Sequence, residues 1–457
     1  MDKQLLSVGL DVGTTTTQMV LSKLTIINKG SSFSVPDMEI AERNILYKSP
    51  IHFTPLLGKD RVDGDKIRAL VEQEYHTAGI DRHQVDTGAI IITGETSRKE
   101  NARTVLDSLS EFAGDFVVAT AGPHLESVLA AKGAGADLFS EETGKTVLHM
   151  DIGGGTANLS LIRKGEIVST GCMNVGGRLL KLDENGIITY RSPVLDGFFS
   201  YNVGQKLPQE AMEQLCNTLA KALEMAAGLH NTTSLLSAFW TAEAGAPWVP
   251  PMDVDTISFS GGVAECIDQM QPLLAFGDIG PALGQAIRKS KLCQKEYRLG
   301  SETIRATVIG AGCHSAQLSG STVYHRGIPF PLKNLPVVAL SAQEQVSSEL
   351  SALVQQKLEV QEGLSVLALP GFDGARYGQV IALADALSRV VFPGPVLLAL
   401  QADMAKALGH ALALRLPPEK PLLCIDRVKL PANSYLDVGA PVSSALPVVI
   451  KTLILEK

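Results

Sequence analysis

Leu10-Asp11-Val12-Gly13-Thr14-Thr15-Thr16-Thr17 has a near repeat far along the chain, Met150-Asp151-Ile152-Gly153-Gly154-Gly155-Thr156-Ala157-Asn158. An apolar run that reads as a strand leads into each segment, over residues 5–10 and 146–150. A second apolar run leaves each turn, over 19–21 and 159–162. Both segments therefore spell strand, Asp, Gly/Thr turn, strand. The expected local structure is a β-hairpin whose tip holds an anion, because successive backbone N–H groups in a Gly-rich turn converge on phosphate oxygens and glycine allows close approach. An Asp at the strand end suits a hydrated Mg²⁺ ion, which takes oxygen ligands and keeps several waters. Two such hairpins face to face would grip a nucleoside triphosphate. A lone Asp-Gly turn is usually structural, but a matched pair, each with Thr after the glycines, favours Asp11 and Asp151 as the metal-binding and catalytic carboxylates.

The rest of the chain sets the frame around these hairpins. With 457 residues, 45% of them hydrophobic and 19% charged, it has the length for two or three domains and a substantial core. The formal net charge of -8 and the absence of a basic stripe argue against nucleic acid as a partner. The six cysteines are scattered, without CxxC pairs or zinc spacing, as expected in a reducing cytosol. The first residues do not read as a signal peptide, and no apolar run has the length of a membrane span. A cytoplasmic location is expected.

Element order shows a duplication that residue identity does not. Residues 1–144 read as a three-strand meander, a helix over 65–78, a buried strand over 89–93 ending in Gly94-Glu95-Thr96, a helix over 99–109, a strand and a helix over 123–132. Residues 145–330 begin the same order again, with helices over 209–227 and 235–241 and a strand over 256–260. Proline clustering near residue 330 marks a boundary. Residues 331–457 read as a further α/β module, with helices over 342–356, 377–387 and 403–414 and strands over 364–369, 396–400, 422–428 and 447–455.

Two more motifs complete the pattern. Ser258-Phe259-Ser260-Gly261-Gly262-Val263-Ala264 places a Gly-Gly pair at a strand end, where bare backbone can carry an adenine ring and a following helix can favour phosphate. Val308-Ile309-Gly310-Ala311-Gly312-Cys313-His314-Ser315 imitates a dinucleotide fingerprint. The acidic residue expected about twenty positions later is missing, so close helix–helix contact explains these glycines better.

The ordered set of motifs resembles phosphate 1, phosphate 2, the adenosine motif and the second connecting helix of the actin, Hsp70 and sugar-kinase superfamily; residues 121–135 resemble its first connecting helix. Within that superfamily the chain is similar, over essentially its whole length, to the ethanolamine ammonia-lyase reactivating factors. Gly9 to Gln18, Thr93 to Ala102, His149 to Asn158, Asp403 to Gly409, Cys424 to Asp426 and Val448 to Leu453 carry the likeness. The resemblance implies duplicated actin-like ATPase domains, of ribonuclease H-like α/β fold, plus the C-terminal module. It also implies ATP and Mg²⁺ as cofactors and ethanolamine ammonia-lyase, an adenosylcobalamin enzyme, as partner. The activity implied is an ATP-dependent exchange of damaged for intact cobalamin, in a cytoplasmic or microcompartment setting. The nucleotide-binding residues would be Gly13, Thr14, Thr15, Thr16, Gly153, Gly154, Gly155, Thr156, Ser260, Gly261 and Gly262.

Several readings stay open at this point. Glu95 is either a catalytic carboxylate or a partner of the next helix's N-cap. Glu126 is a further candidate base, although solvated helix surface explains it better. His149 fits a core histidine better than a ligand. Arg98 and Lys99 fit surface charge, and Trp240 and Trp248 fit either loop packing or a contact patch. A small-molecule kinase of the same superfamily, or a non-enzymatic nucleotide-binding scaffold, are the alternative functions. Oligomeric state does not follow from the sequence.

Overall fold

The structure, a computed structural model, describes residues 3–13, 16–28, 38–57, 61–92, 101, 105, 109, 117–120, 123–241, 248–314, 316–319, 322–359, 363–428, 430, 434–441 and 446–452. Its first sheet is built from β1 (Lys3–Val12), β2 (Thr16–Asn28), β3 (Met38–Lys48), β4 (His52–Phe53), β5 (Thr87–Ile92) and β6 (Val117–Thr120). The strands run in the order β3-β2-β1-β5-β6, with β4 on β2. The second lobe uses β7 (Val147–Ile152), β8 (Ala157–Arg163) and β9 (Glu166–Met173), and a two-stranded sheet of β10 (Leu180–Leu182) and β11 (Ile188–Arg191). Its remaining strands are β12 (Thr256–Ser260) and β13 (Glu296–Leu299). The main sheet here runs β9-β8-β7-β12-β13.

Strand for strand these two orders are the same. An antiparallel meander of three is followed by two strands parallel to the first: β5 to β1 and β6 to β5 in one lobe, β12 to β7 and β13 to β12 in the other. This is the duplicated actin-like fold. The central parallel strands are covered on both faces; Thr87–Ile92 and Val147–Ile152 are buried at every position, the polar His149 and Asp151 included.

Two helices tie the lobes together. Pro123–Gly133 follows β6 but packs on β8 and β9, and Ala306–His314 follows β13 but packs on β1, β2 and β5. They cross at glycines. A Cβ at Gly310 would stand 2.0 Å from the Leu129 carbonyl oxygen, and one at Gly133 would stand 1.8 Å from that of Ala306. Gly312 lies against Gly9, and the Ser7 hydroxyl donates to the Gly312 carbonyl at 2.5 Å. The glycines of 308–315 thus mediate close packing between backbones, and the dinucleotide pattern is coincidental.

The third sheet joins β14 (Ala316–Leu318), β15 (Tyr324–Arg326), β16 (Leu332–Ala339), β17 (Val366–Leu369), β18 (Val396–Leu400), β19 (Leu422–Ile425), β20 (Ser434–Val438) and β21 (Pro447–Thr452). It runs in the order β14-β21-β20-β16-β17-β18-β19-β15, with β16 to β19 parallel. Leu367, Leu398 and Cys424 pack under the helices Leu350–Glu359, Tyr377–Ser388 and Ala405–Ala413. Val366, Leu397 and Leu423 face a second core with Leu436 and Val448. Strands β14 and β15 enter this sheet from before residue 331.

The structure corrects two local readings. The helix expected over 342–356 is two pieces, Ala342–Gln345 and Leu350–Glu359, divided where the Ser347 hydroxyl accepts from Glu349 N at 3.2 Å and competes with helical pairing. Strand β20 was missed, since five residues with polar Ser434 and Asp437 give too short an alternation to read. All six cysteines are buried, and none of them forms a disulfide.

Candidate nucleotide site

Both hairpins form as their sequences dictate, and they close with the same bond. Gly13 N donates to Thr16 O and Gly153 N to Thr156 O, each at 2.9 Å. Asp11 sits opposite Gln18 and Asp151 opposite Asn158, two pairs further from each tip. The Gly261-Gly262 turn lies directly on the second hairpin. Gly261 has a left-handed φ of 87°, and its Cα is so close to β7 that a Cβ would meet the Ile152 carbonyl oxygen at 2.3 Å. Any side chain there is excluded by conformation and by space.

These pieces meet at one cleft with a cavity of about 230 Å³, far more than a single water needs. Asp11, Gly13, Thr16, Asp151, Gly153, Gly261 and Gly262 line it. Gly154 is beside it, under the side chain of Arg178, and Ser260 is bonded to Asp151. Gly155 and Thr156 belong to the same turn, and a Cβ at Gly155 would touch nothing. Thr14, Thr15 and Glu95 lie outside the described residues, as do Arg98 and Lys99.

Asp151 is the most constrained carboxylate of the cleft. It is buried, and burial raises its pKa from 3.8 to about 6 against the opposing effect of hydrogen bonds from Ser260 and Thr307. Behind it runs a chain of fixed direction. Ser260 has one hydroxyl hydrogen and gives it to Asp151 Oδ1. His149 Nε2, 3.0 Å from the Ser260 oxygen, must then be the protonated nitrogen, and Nδ1 accepts from Ser258 at 3.1 Å. Burial first, then the charge of Arg298, lowers the His149 pKa to about 3 and keeps the ring neutral. His149 is a core histidine with both nitrogens bonded.

Of the other residues of the cleft, the sequence offers only Glu126, as a candidate base weighed against solvated helix surface. Glu126, expected on solvated helix surface, lines the cavity from the helix Pro123–Gly133. Arg178 enters from the turn after β9, where Gly177 N and Arg178 N donate to the Gly153 and Gly154 carbonyls at 3.0 and 2.6 Å. Glu265, Phe276, Asp278 and Thr307 line other walls. The sequence signal for this wall was the Gly176-Gly177 pair just after a strand, the same device as Gly261-Gly262. The helix after Gly262 is only Glu265–Asp268, so its dipole has little to offer an anion. Trp240 and Trp248 stack on each other at 5.8 Å between ring centres, Trp240 against Gly171, and Trp248 Nε1 donates to the Ala226 carbonyl. Both rings pack against the core of the second lobe.

The family profile for "Ethanolamine utilisation protein EutA" matches residues 3–456. The chain belongs to that family. Similar proteins named "Ethanolamine ammonia-lyase reactivase EutA" occur in Escherichia coli (strain K12) and in Salmonella typhimurium (strain LT2). The first is 40% identical over 99% of this chain and 98% of its own length; the second is 39% identical over the same shares. Among solved structures, an Aquifex aeolicus Ppx/GppA protein overlaps 67% of this chain and 97% of its own at 11% identity and a TM-score of 0.40. The ethanolamine utilization protein EutJ from Carboxydothermus hydrogenoformans overlaps 67% of this chain and 89% of its own at 14% identity and a TM-score of 0.34. No helix among the described residues is long and apolar enough to cross a membrane.

Proposed function

We propose that this EutA-family chain is an ATP-dependent reactivase that frees ethanolamine ammonia-lyase of damaged cobalamin so that adenosylcobalamin can bind again. The observation that carries the nucleotide part is the meeting of both Asp-bearing hairpins and the Gly261-Gly262 turn on one cleft. Support for the partner comes from the reactivase name of relatives about 40% identical over nearly the full chain. The working compartment is the cytoplasm or a bacterial microcompartment.

The donor set suits Mg²⁺. Among the described residues no group of three or more His, Cys, Asp or Glu is arranged as a metal cage. Mg²⁺ usually takes one or two carboxylates and completes its shell with waters and substrate phosphates. Asp11 and Asp151 are the residues to hold it, and burial raises the Asp151 pKa, so a bound cation would favour its ionised form. When bound, the ion would offset phosphate charge.

Backbone N–H groups of the turn 153–156 would meet the phosphates, Thr16 and Thr156 would add hydroxyls, Gly154 and Gly155 would leave room for approach, and Thr14 and Thr15, outside the described residues, are assigned the same role by the sequence motif. Gly261 and Gly262 receive the adenine ring, with Ser260 steadying Asp151. In hydrolysis the water oxygen bonds to the γ-phosphorus and the bond to the β,γ-bridging oxygen breaks. The water proton passes to a carboxylate facing it, with Asp11, Glu126 and Glu95 as candidates; positioning and charge neutralisation supply most of the acceleration. Because the lobes close on the nucleotide, one nucleotide state can bind an opened lyase more tightly than a closed one. That difference in affinity sets the size of the shift.

The test starts from lyase inactivated with cyanocobalamin. The chain, adenosylcobalamin and Mg²⁺ are added with ATP or a non-hydrolysable analogue, and ammonia release is followed. Recovery with ATP is expected. Equal recovery with the analogue would assign hydrolysis to resetting the factor. No recovery with either would sink the reading and make phosphorylation of a soluble acceptor the next assay.

A further inference from the structure

The cleft is an adverse place for a polyphosphate. Among the described residues lining it, Asp11, Glu126, Asp151, Glu265 and Asp278 bring carboxylates, and Arg178 brings the one guanidinium. A metal ion relieves part of this repulsion, so much depends on what holds Arg178.

The stem of Arg178 is fixed and its head is loosely committed. Its backbone N donates to Gly154 O at 2.6 Å, and its side chain lies over Gly154 so closely that a Cβ there would meet Cδ at 3.3 Å. The side chain therefore crosses the turn that faces the phosphates. Its Nε donates to Asp278 Oδ2 at 3.2 Å, longer than the 2.7–2.9 Å usual for such charged pairs. The other Asp278 oxygen accepts from the N–H of Gly280, the first residue of the helix Gly280–Lys289, at 2.8 Å. Ile279 N donates to Gly177 O at 2.9 Å. The turn over 277–280 is thus bound to the Arg178 turn by one backbone bond and this ion pair, and to β10 by Leu182 N, which donates to Gly277 O at 2.8 Å, so the ion pair is the part of its anchoring that a ligand can displace.

We propose that Arg178 senses the nucleotide state: its guanidinium rests on Asp278 when no γ-phosphate is present and forms a forked pair with the γ-phosphate of bound ATP. The inference rests on the reading of the cleft as a Mg·ATP site. Phosphate outcompetes Asp278 because one Asp278 oxygen is taken up by Gly280 N, leaving a single acceptor, whereas the γ-phosphate offers the guanidinium two parallel acceptors and more charge. Losing the ion pair loosens the 277–280 turn. Phe276, 56% exposed beside it, changes position with the nucleotide and passes the state to the surface.

Calorimetric titration of the full chain with the Mg²⁺ complexes of β,γ-imido-ATP and ADP tests this. The wild type should prefer the imido analogue. Arg178→Ala should lose roughly 10- to 100-fold in affinity for the analogue, the range for a charge-assisted pair, and less than about threefold for ADP. Asp278→Asn, which removes the competitor and keeps the guanidinium, should bind the analogue more tightly relative to ADP. Equal weakening of both ligands in Arg178→Ala would give Arg178 a purely structural role and overturn the proposal. Should that variant fail to fold, an unchanged ligand ratio in Asp278→Asn would overturn it instead. A wild type that binds neither nucleotide would refute the Mg·ATP reading itself, and the sensor with it.

Discussion

Asp151→Asn is expected to abolish ATP hydrolysis while making the nucleotide-free protein more stable at pH 8. The two effects share a cause. Burial raises the Asp151 pKa from 3.8 to about 6, so the folded state holds a proton more tightly than the unfolded state does. The associated stability is fully present below pH 3.8 and is lost as pH rises through about 6. Above that, the ionised carboxylate costs the folded state about 3 kcal/mol, from a shift of roughly two units. Asparagine removes the charge and keeps an acceptor for the Ser260 hydroxyl. Thermal melts should therefore show Asp151→Asn above wild type at pH 8, with the gap narrowing toward pH 4. Hydrolysis should fall by at least about 100-fold, since a metal-holding charge is gone. Asp11→Asn should match the kinetic loss without the gain in stability, because Asp11 is only half-buried. Wild-type turnover in both variants would refute the metal assignment, and coincident melts at pH 8 would refute the account of Asp151 burial.

The parts of this site that could be read in the sequence are those whose chemistry is local. An Asp-Gly/Thr turn between apolar runs specifies its own hairpin, and both hairpins close with the same Gly N to Thr O bond. Gly261 announced itself because only glycine fits its left-handed φ against the Ile152 carbonyl. Arg178 and Asp278 gave no such sign, and Glu126, named as a candidate base, read more readily as helix surface. They reach the cleft from a turn, a loop and a helix far apart in sequence, and their value lies in a juxtaposition that no local spacing encodes. Glu126 shows the limit well. As one residue of a helix with little amphipathic character it reads as surface, and only the crossing of Pro123–Gly133 with Ala306–His314 turns it toward the cavity. The duplication was legible in element order because each lobe repeats a meander before its parallel strands. The first lobe's Glu95 lies outside the described residues, so its assignment stays a proposal.

Gly310→Ala should destabilise the protein severely, whereas Gly155→Ala should spare the fold and weaken nucleotide binding. Two glycines from neighbouring motifs are here for different reasons. A Cβ at Gly310 would stand 2.0 Å from Leu129 O and 2.6 Å from Leu129 C, and backbone atoms cannot turn aside as a side chain can. The helices Ala306–His314 and Pro123–Gly133 would have to separate. Overpacking costs roughly 1–3 kcal/mol where side chains can adjust, so a backbone clash belongs at or above the top of that range. The damage would also reach the cleft. Ala306–His314 carries Thr307, which bonds Asp151, and Gly312, which lies on Gly9 two residues before Asp11. A wider helix crossing thus moves both carboxylates. At Gly155 a Cβ meets no atom within 4 Å and no left-handed φ needs relief, so folding should be undisturbed. Its methyl would instead point into the space that a phosphate approaching the turn requires. Melting curves and nucleotide titrations on both variants separate the two roles. Equal stability of Gly310→Ala and wild type would refute the glycine-mediated crossing, and undiminished nucleotide affinity in Gly155→Ala would remove the second hairpin from the phosphate site.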